Sequence, residues 1–224
     1  MAPRNKSKHL LFDPLPEIII CDTTFLVFSL NKTKKDVYKN LVCRYFLKRL
    51  LGSSTKIFMS SLVFPEFWHA SLKIAIGRLY DTEDEVRINK MISTQKKKCI
   101  QECCDEIIKQ QRQFDKLLSK FNETENRVFI VETSKEIMME AEKHLVKYRL
   151  LSYDAIHLAT MTIKSPSKPK INDMVTLDKD IISDCNTDYN IWHKGADYNA
   201  ILGYEKRLPI DELEPDSLHK PSSK

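Results

Sequence analysis

The sequence predicts an α/β domain built on a parallel sheet with helices on both faces. Two short runs, EIIIC at 17–21 and RVFIVE at 127–132, are apolar without polar alternation, as expected of strands covered on both sides. Between such runs stand segments whose apolar residues recur at helical spacing, and strands that alternate with helices pair in parallel through right-handed crossovers. The 224 residues are 42% hydrophobic and 30% charged, which suits one globular domain able to bury a core without staples.

Taken in order, residues 1–16 read as a flexible basic arm punctuated by Pro14 and Pro16. Asp22 directly follows the first strand. A helix from about Asp36 to Leu51 is expected from Val37, Leu41, Val42, Tyr45, Phe46 and Leu50, with Gly52 as its stop. KIFMS at 56–60 is a strand, and Ser60 or Ser61 can cap a helix to about Leu79 with Pro65 in its first turn. Residues 81–121 form a charged insertion with a narrow stripe (Ile88, Ile92, Cys99, Cys103, Ile107, Phe114, Leu117, Phe121). It reads as a long helix or helical hairpin projecting from the core. After the 127–132 strand, Thr133 to Glu136 fits a capping box that opens a helix with Ile137, Ala141, His144 and Leu145 on one face. Ser152 caps the next helix, to about Ile163. A Pro/Lys/Ser loop spans 165–170, a strand at 174–177 ends at Asp178, another lies at 189–192, and residues 205–224 form a loose tail. The domain proper is 17–204.

Composition excludes several function classes. The four glycines, at 52, 77, 195 and 203, cannot build a Walker loop or a dinucleotide fingerprint, each of which needs two or three within a few residues. The six cysteines show neither C-x-x-C nor zinc-finger spacing, and Cys21 in its apolar run behaves as a small hydrophobe. No secretory h-region or membrane-length apolar stretch is visible, so a soluble cytoplasmic protein is expected. A net charge of +5 permits nucleic acid as a partner without requiring it.

The carboxylates are more informative. In an open parallel sheet, ligands bind beyond the carboxyl ends of the strands. Asp22 ends the first strand, Glu66 lies in the first helical turn after the second, Asp154 lies in the first turn of the Ser152 helix, and Asp178 ends the fourth strand. Taken singly, each is explained as a cap or as a carboxylate at a helix N-terminus. Together they place four negative charges at one edge, where a hard divalent cation, Mg²⁺ or Mn²⁺, would relieve their repulsion.

Four segments in this order and spacing resemble a PIN domain of the VapC-like ribonuclease group. They are Ile19 to Thr24, Ser61 to Glu66, Ser152 to Thr160 and Val175 to Asp180. The resemblance covers about residues 17–195 outside the insertion. It implies a five-stranded parallel sheet and a Mg²⁺- or Mn²⁺-dependent endoribonuclease, a hydrolase of RNA phosphodiester bonds. By that resemblance Asp22, Glu66, Asp154 and Asp178 are catalytic and metal-binding, Asp180 is a further acidic position at the metal, and Thr24 and Thr176 orient the carboxylates. The group's toxins belong to toxin–antitoxin systems and are silenced by an antitoxin protein. The simple toxins lack the 81–121 insertion, which can serve as a dimerisation arm for a homodimer, an RNA-binding arm or a contact for another protein.

Competing readings are a non-catalytic PIN-like regulatory or scaffold module and an RNA-processing nuclease outside any toxin–antitoxin pair. A haloacid-dehalogenase-like phosphatase needs a second Asp two residues after Asp22, where Thr24 stands; a receiver domain's acidic pair is not visible. Lys32, Lys34 and Lys35, then Lys96, Lys97 and Lys98, then Lys164, Lys168 and Lys170 are candidate phosphate contacts or simply solvated lysines. His157, three residues after Asp154, and His69, three after Glu66, read as packing or structural hydrogen-bonding residues, with a site role as the alternative since each shares a helix face with its carboxylate, and Phe67 and Trp68 read as core or groove wall.

Overall fold

The structure, a computed structural model, describes residues 8–10, 13–31, 37–123, 127–164 and 168–193. Its elements in chain order are β1 (Lys8–His9), β2 (Ile18–Cys21), α1 (Thr23–Leu30), α2 (Val37–Leu51), β3 (Lys56–Ser60), α3 (Val63–Leu79), α4 (Glu85–Asn122), β4 (Val128–Val131), α5 (Lys135–Tyr148), α6 (Ser152–Thr162), β5 (Asp173–Val175), α7 (Lys179–Cys185) and β6 (Asn190–His193). The strands form one all-parallel sheet in the order β1-β6-β5-β2-β3-β4. The expected α/β class and the five expected strands are present, and β1 adds a sixth at the edge.

Alternation along the central strands sorts the core into two layers. Ile19 and Cys21 of β2 and Ile57 and Met59 of β3 face one cluster, with Phe25, Phe46, Phe67 and Phe114. Ile20 and Phe58 face the other, with Ile137, Ala155, Leu158, Ala159 and Met174. Helices α1, α2, α3 and the second half of α4 thus cover one face, and α5, α6 and α7 the other. Cys21 is a buried free thiol, and burial pushes its titration upward, as expected of a packing residue.

Two expectations are corrected. The 1–16 arm is not loose throughout: Lys8–His9 pairs with Trp192 and His193, Leu10 is buried, and the Arg49 guanidinium donates to the carbonyls of Leu10 and Asp13. The stretch 81–121 is not simply a projection. Its helix α4 breaks at Gln95 (φ −133°, ψ 32°), and its second half buries Phe114, Leu117 and Phe121 in the main core. Phe114 stacks on Phe67 of α3 with ring centroids 4.6 Å apart. Burying three large apolar side chains, each contributing about 1.5–3 kcal/mol, makes this half integral to the fold. Where α3 hands over to α4, Gly77 permits a close approach, since a Cβ there would lie 2.9 Å from the Thr82 carbonyl oxygen. The calls for a 205–224 tail, the 165–167 part of the loop and Lys32, Lys34 and Lys35 lie outside the described residues.

Two buried cations close helix ends. Arg127 donates to the carbonyls of Leu50, Leu51 and Ser53 at the end of α2 and to Phe121 at the end of α4, with its guanidinium over the Phe121 ring. It satisfies carbonyls that lack intrahelical donors and complements two helix dipoles. Arg127→Leu is expected to lose about 3 kcal/mol, because it leaves several buried carbonyls unpaired. A urea midpoint equal to that of the parent protein would remove this role. Lys168, a candidate phosphate contact by sequence, is instead buried, and its ammonium donates to Met161, Ile163 and Pro169 carbonyls at the end of α6. Burial pushes this ammonium down to about 8.

Candidate active site

The chain runs β2, β3, β4 toward one side of the sheet and then returns to place β5 on the other side of β2. The carboxyl ends of β2 and β5 therefore flank the point where the strand order reverses, the usual ligand position in an open α/β sheet. Asp22 leaves β2 there and caps α1, accepting from the Thr23 amide at 2.7 Å. Its other oxygen accepts from the Thr24 hydroxyl at 2.5 Å and the Thr176 hydroxyl at 2.7 Å. The Thr24 and Thr176 oxygens lie 3.3 Å apart, and Thr176 is completely buried. The two threonines thus bridge the β2–β5 gap and fix the buried Asp22 carboxylate, the orienting role expected of them.

Asp178 follows β5. The Thr176 hydroxyl accepts its amide at 2.9 Å, and the Asp178 carboxylate caps α7 through the Asp180 amide at 2.8 Å and the Ile181 amide at 3.3 Å. Asp180 lies in the first turn of α7 with its side chain exposed, and its charge is not among those acting on Asp154. Among the described residues, the possible ligand atoms that lie within 4.8 Å of one another are those of Asp22, Glu66 and His157; Asp154, Asp178 and Asp180 stand outside that grouping.

Glu66 comes from the first turn of α3, on one face of the sheet, and Asp154 from the first turn of α6, on the other. Both helices start without a side-chain cap: Leu62 and Leu151 occupy the cap positions rather than the expected serines. Burial pushes the Asp154 carboxyl up to about 7, and the charges of Asp178, Asp22 and Glu66 push in the same direction. The charges of the other three predicted carboxylates thus act on Asp154. Among the described residues, His157 is the opposing charge that acts on Asp154.

His157 is the residue that sequence reasoning underweighted. One turn after Asp154 on α6, it is 1% exposed, and its Nε2 stands 2.7 Å from Glu66 Oε2 and 3.8 Å from Asp22 Oδ1. The structural hydrogen bond expected of it exists, but its partner is a site carboxylate. Glu66 Oε2 also accepts from the Thr23 hydroxyl. Burial alone would raise the Glu66 carboxyl, yet the His157 bond, its charge and the Thr23 bond hold it below the ordinary value. Burial alone would lower the His157 imidazole, yet the Glu66 bond and the charges of Asp22, Glu66 and Asp154 hold it above the ordinary value. The only sequence signal for this was helical spacing, Asp154 and His157 sharing a face.

Ligand atoms of Asp22, Glu66 and His157 all lie within 4.8 Å of one another, a grouping able to hold a metal ion. The donor chemistry fits a divalent cation in a second way. A carboxyl displaced to about 7 by burial and three neighbouring carboxylates marks uncompensated negative charge. Oxygen donors of this kind suit hard ions. His157 Nδ1, buried and without a hydrogen-bond partner, points to the Nε2 edge as the working side of the ring.

Of the remaining sequence candidates, Phe67 is core, whereas Trp68 is 47% exposed and therefore not core. Lys96, Lys97 and Lys98 are exposed on α4 just beyond its break, with Lys98 3.8 Å from Glu102. No helix among the described residues is long and apolar enough to cross a membrane. No protein-family model matches the chain, and no curated protein matches its sequence.

Proposed function

We propose that the protein is a metal-dependent endoribonuclease that hydrolyses RNA phosphodiester bonds. What supports this reading is the grouping of Asp22, Glu66 and His157 ligand atoms within 4.8 Å of one another at the switch point of a parallel sheet, with Asp154, one turn before His157 on α6, displaced to about 7 by burial and then by the charges of Asp178, Asp22 and Glu66. Asp22, Asp154 and Asp178 would hold Mg²⁺ or Mn²⁺. The bound cation supplies Lewis-acid chemistry, activating water and neutralising charge at the phosphate.

The protein's own side chains do the rest. Thr24 and Thr176 hold Asp22 in one orientation. His157 and Thr23 both engage Glu66 Oε2, which makes that carboxylate a weak base and suits it to positioning rather than to accepting a proton. Water attacks phosphorus in line, the bond from phosphorus to the 3′-oxygen breaks, and the products carry a 5′-phosphate and a 3′-hydroxyl. No side chain becomes a covalent nucleophile. A toxin of a toxin–antitoxin pair, silenced by its antitoxin, and an RNA-processing enzyme both fit this chemistry.

The test is cleavage of end-labelled single-stranded RNA with Mn²⁺ and with EDTA. EDTA is expected to stop cleavage, and Asp22→Asn to slow it by roughly 100-fold or more with an unchanged circular dichroism spectrum. Cleavage that persists in EDTA, or an Asp22→Asn variant at full rate, would defeat the proposal.

A further inference from the structure

The two edges of the sheet are built differently. β1, at one edge, is two residues long and begins with Lys8. Shortness and a lysine are ordinary ways of keeping an edge from pairing further. β4, at the other edge, has neither: VFIV carries no charge, proline or glycine. A continuous apolar run is the composition of a strand covered on both faces. Yet none of these four side chains is fully buried, and Ile130 is 38% exposed. Next to it, Ile57, Phe58, Met59 and Ser60 of β3 are all buried.

The backbone of β4 is likewise half used. The Ile57 amide donates to the Arg127 carbonyl at 2.7 Å, and the Ser61 amide to the Val131 carbonyl at 2.9 Å. Arg127, Phe129 and Val131 therefore turn their polar groups toward β3, and Val128 and Ile130 turn theirs outward. Asn122 Oδ1 accepts the outward Val128 amide at 3.1 Å. Among the described residues, nothing pairs with the Val128 carbonyl, the Ile130 amide and carbonyl, or the Glu132 amide.

We infer that β4 is a self-association edge, pairing antiparallel with β4 of a second copy of this chain across a two-fold axis at Ile130. The register follows from what the edge offers. With the axis there, the two Ile130 residues exchange amide and carbonyl, and each Glu132 amide reaches the Val128 carbonyl of the second copy. Every open group is used, and nothing is asked of the Val128 amide that Asn122 already holds. The side chains match as well. Phe129 falls opposite Val131 of the second copy on one face, twice over, an aromatic and β-branched pair, and Ile130 falls opposite itself on the other. The four half-covered apolar residues are thus covered by the same four, as an isologous contact requires. A strand from an unrelated protein would have to match both the blocked amide and this alternation. The inference places self-association on the sheet edge rather than on the 81–121 helices, and it is independent of the ribonuclease reading.

Sedimentation of the full chain across a concentration series is expected to approach twice the 26.2 kDa chain mass. Ile130→Lys sets two like charges against each other on the axis. It is expected to weaken self-association at least about 100-fold, with an unchanged circular dichroism spectrum because this side chain is exposed. Register is read by cross-linking in a Cys104→Ser background, since Cys104 is the exposed thiol and the other five are buried. Ile130→Cys is expected to give a covalent dimer on mild oxidation, because the two α-carbons would lie about 5.5 Å apart. Val128→Cys would stand about 14 Å from its counterpart and is expected to stay unlinked. Should the lysine variant misfold, the two cysteine variants decide. A chain that stays monomeric, a dimer that survives a folded Ile130→Lys, or linking of Val128→Cys as fast as Ile130→Cys would each overturn the inference. The first outcome would leave the edge to a strand from another protein, and the second would move self-association to another surface.

Discussion

Asp154→Asn is expected to abolish cleavage and, in EDTA, to raise the melting temperature. The carboxyl is displaced to about 7 by burial, then by Asp178, Asp22 and Glu66, while the unfolded chain titrates near 3.8. A folded-state value above the unfolded one means that the charged form is disfavoured by folding. The penalty is complete above about pH 7 and fades as pH falls toward 3.8. The side chain is only half-buried, so solvent screening leaves of order 1–2 kcal/mol. An amide of the same shape carries none of this penalty, which amounts to a rise of several degrees at neutral pH. The gain is expected to shrink near pH 4.5 and to vanish when Mn²⁺ is added, because the cation then stabilises only the parent. A variant both inactive and less stable in EDTA would show that the carboxylates are not a strained cluster. Calorimetry at pH 7.5 and 4.5 with a parallel cleavage assay separates these outcomes.

His157→Leu is expected to have the second-largest effect. It removes the 2.7 Å contact to Glu66 from a site where the ring is almost wholly enclosed. Glu66 keeps only Thr23 as a hydrogen-bond donor among the described residues. Breaking one side of a partly buried charged pair costs about 2–4 kcal/mol, and the loosened carboxylate is expected to lower kcat roughly 10- to 100-fold. His157→Gln can still direct an amide N–H at Glu66 and is expected to recover much of kcat. This imidazole reads as a strut rather than a metal ligand because its Nε2 is already engaged by Glu66 at 2.7 Å. Titration of the Gln variant with Mn²⁺ is therefore expected to match the parent. A kcat in His157→Leu equal to the parent's would remove the positioning role, and a lost Mn²⁺ response in His157→Gln would make the ring a ligand.

The sheet was legible because its strands are short β-branched runs between amphipathic helices, and that pattern needs no tertiary information. Asp22, Glu66, Asp154 and Asp178 were legible for a related reason: each stands where a strand ends or a helix begins, so topology alone carries them to one edge. Asp180 shares the same segment, but its place in the first turn of α7 leaves it exposed. His157 could not be separated from a packing histidine, since its meaning lies in a partner 91 positions away on another helix. The stripe of Phe114, Leu117 and Phe121 looks the same whether it covers a hairpin of its own or the main core. β1 joins through backbone pairing of two residues, which leaves no side-chain pattern to read. Lys168 sits in a segment whose composition is that of a solvated loop, and only the end of α6 above it gives the ammonium acceptors.

The Glu66–His157 contact joins helices that lie on opposite sides of the sheet. It works as a caliper closed on two slabs. A slip of one slab past the other opens its jaws while both interiors stay filled. Packing changes many residues from the pocket, beneath α3 or beneath α6, thereby acquire leverage over chemistry that their own neighbourhoods never touch.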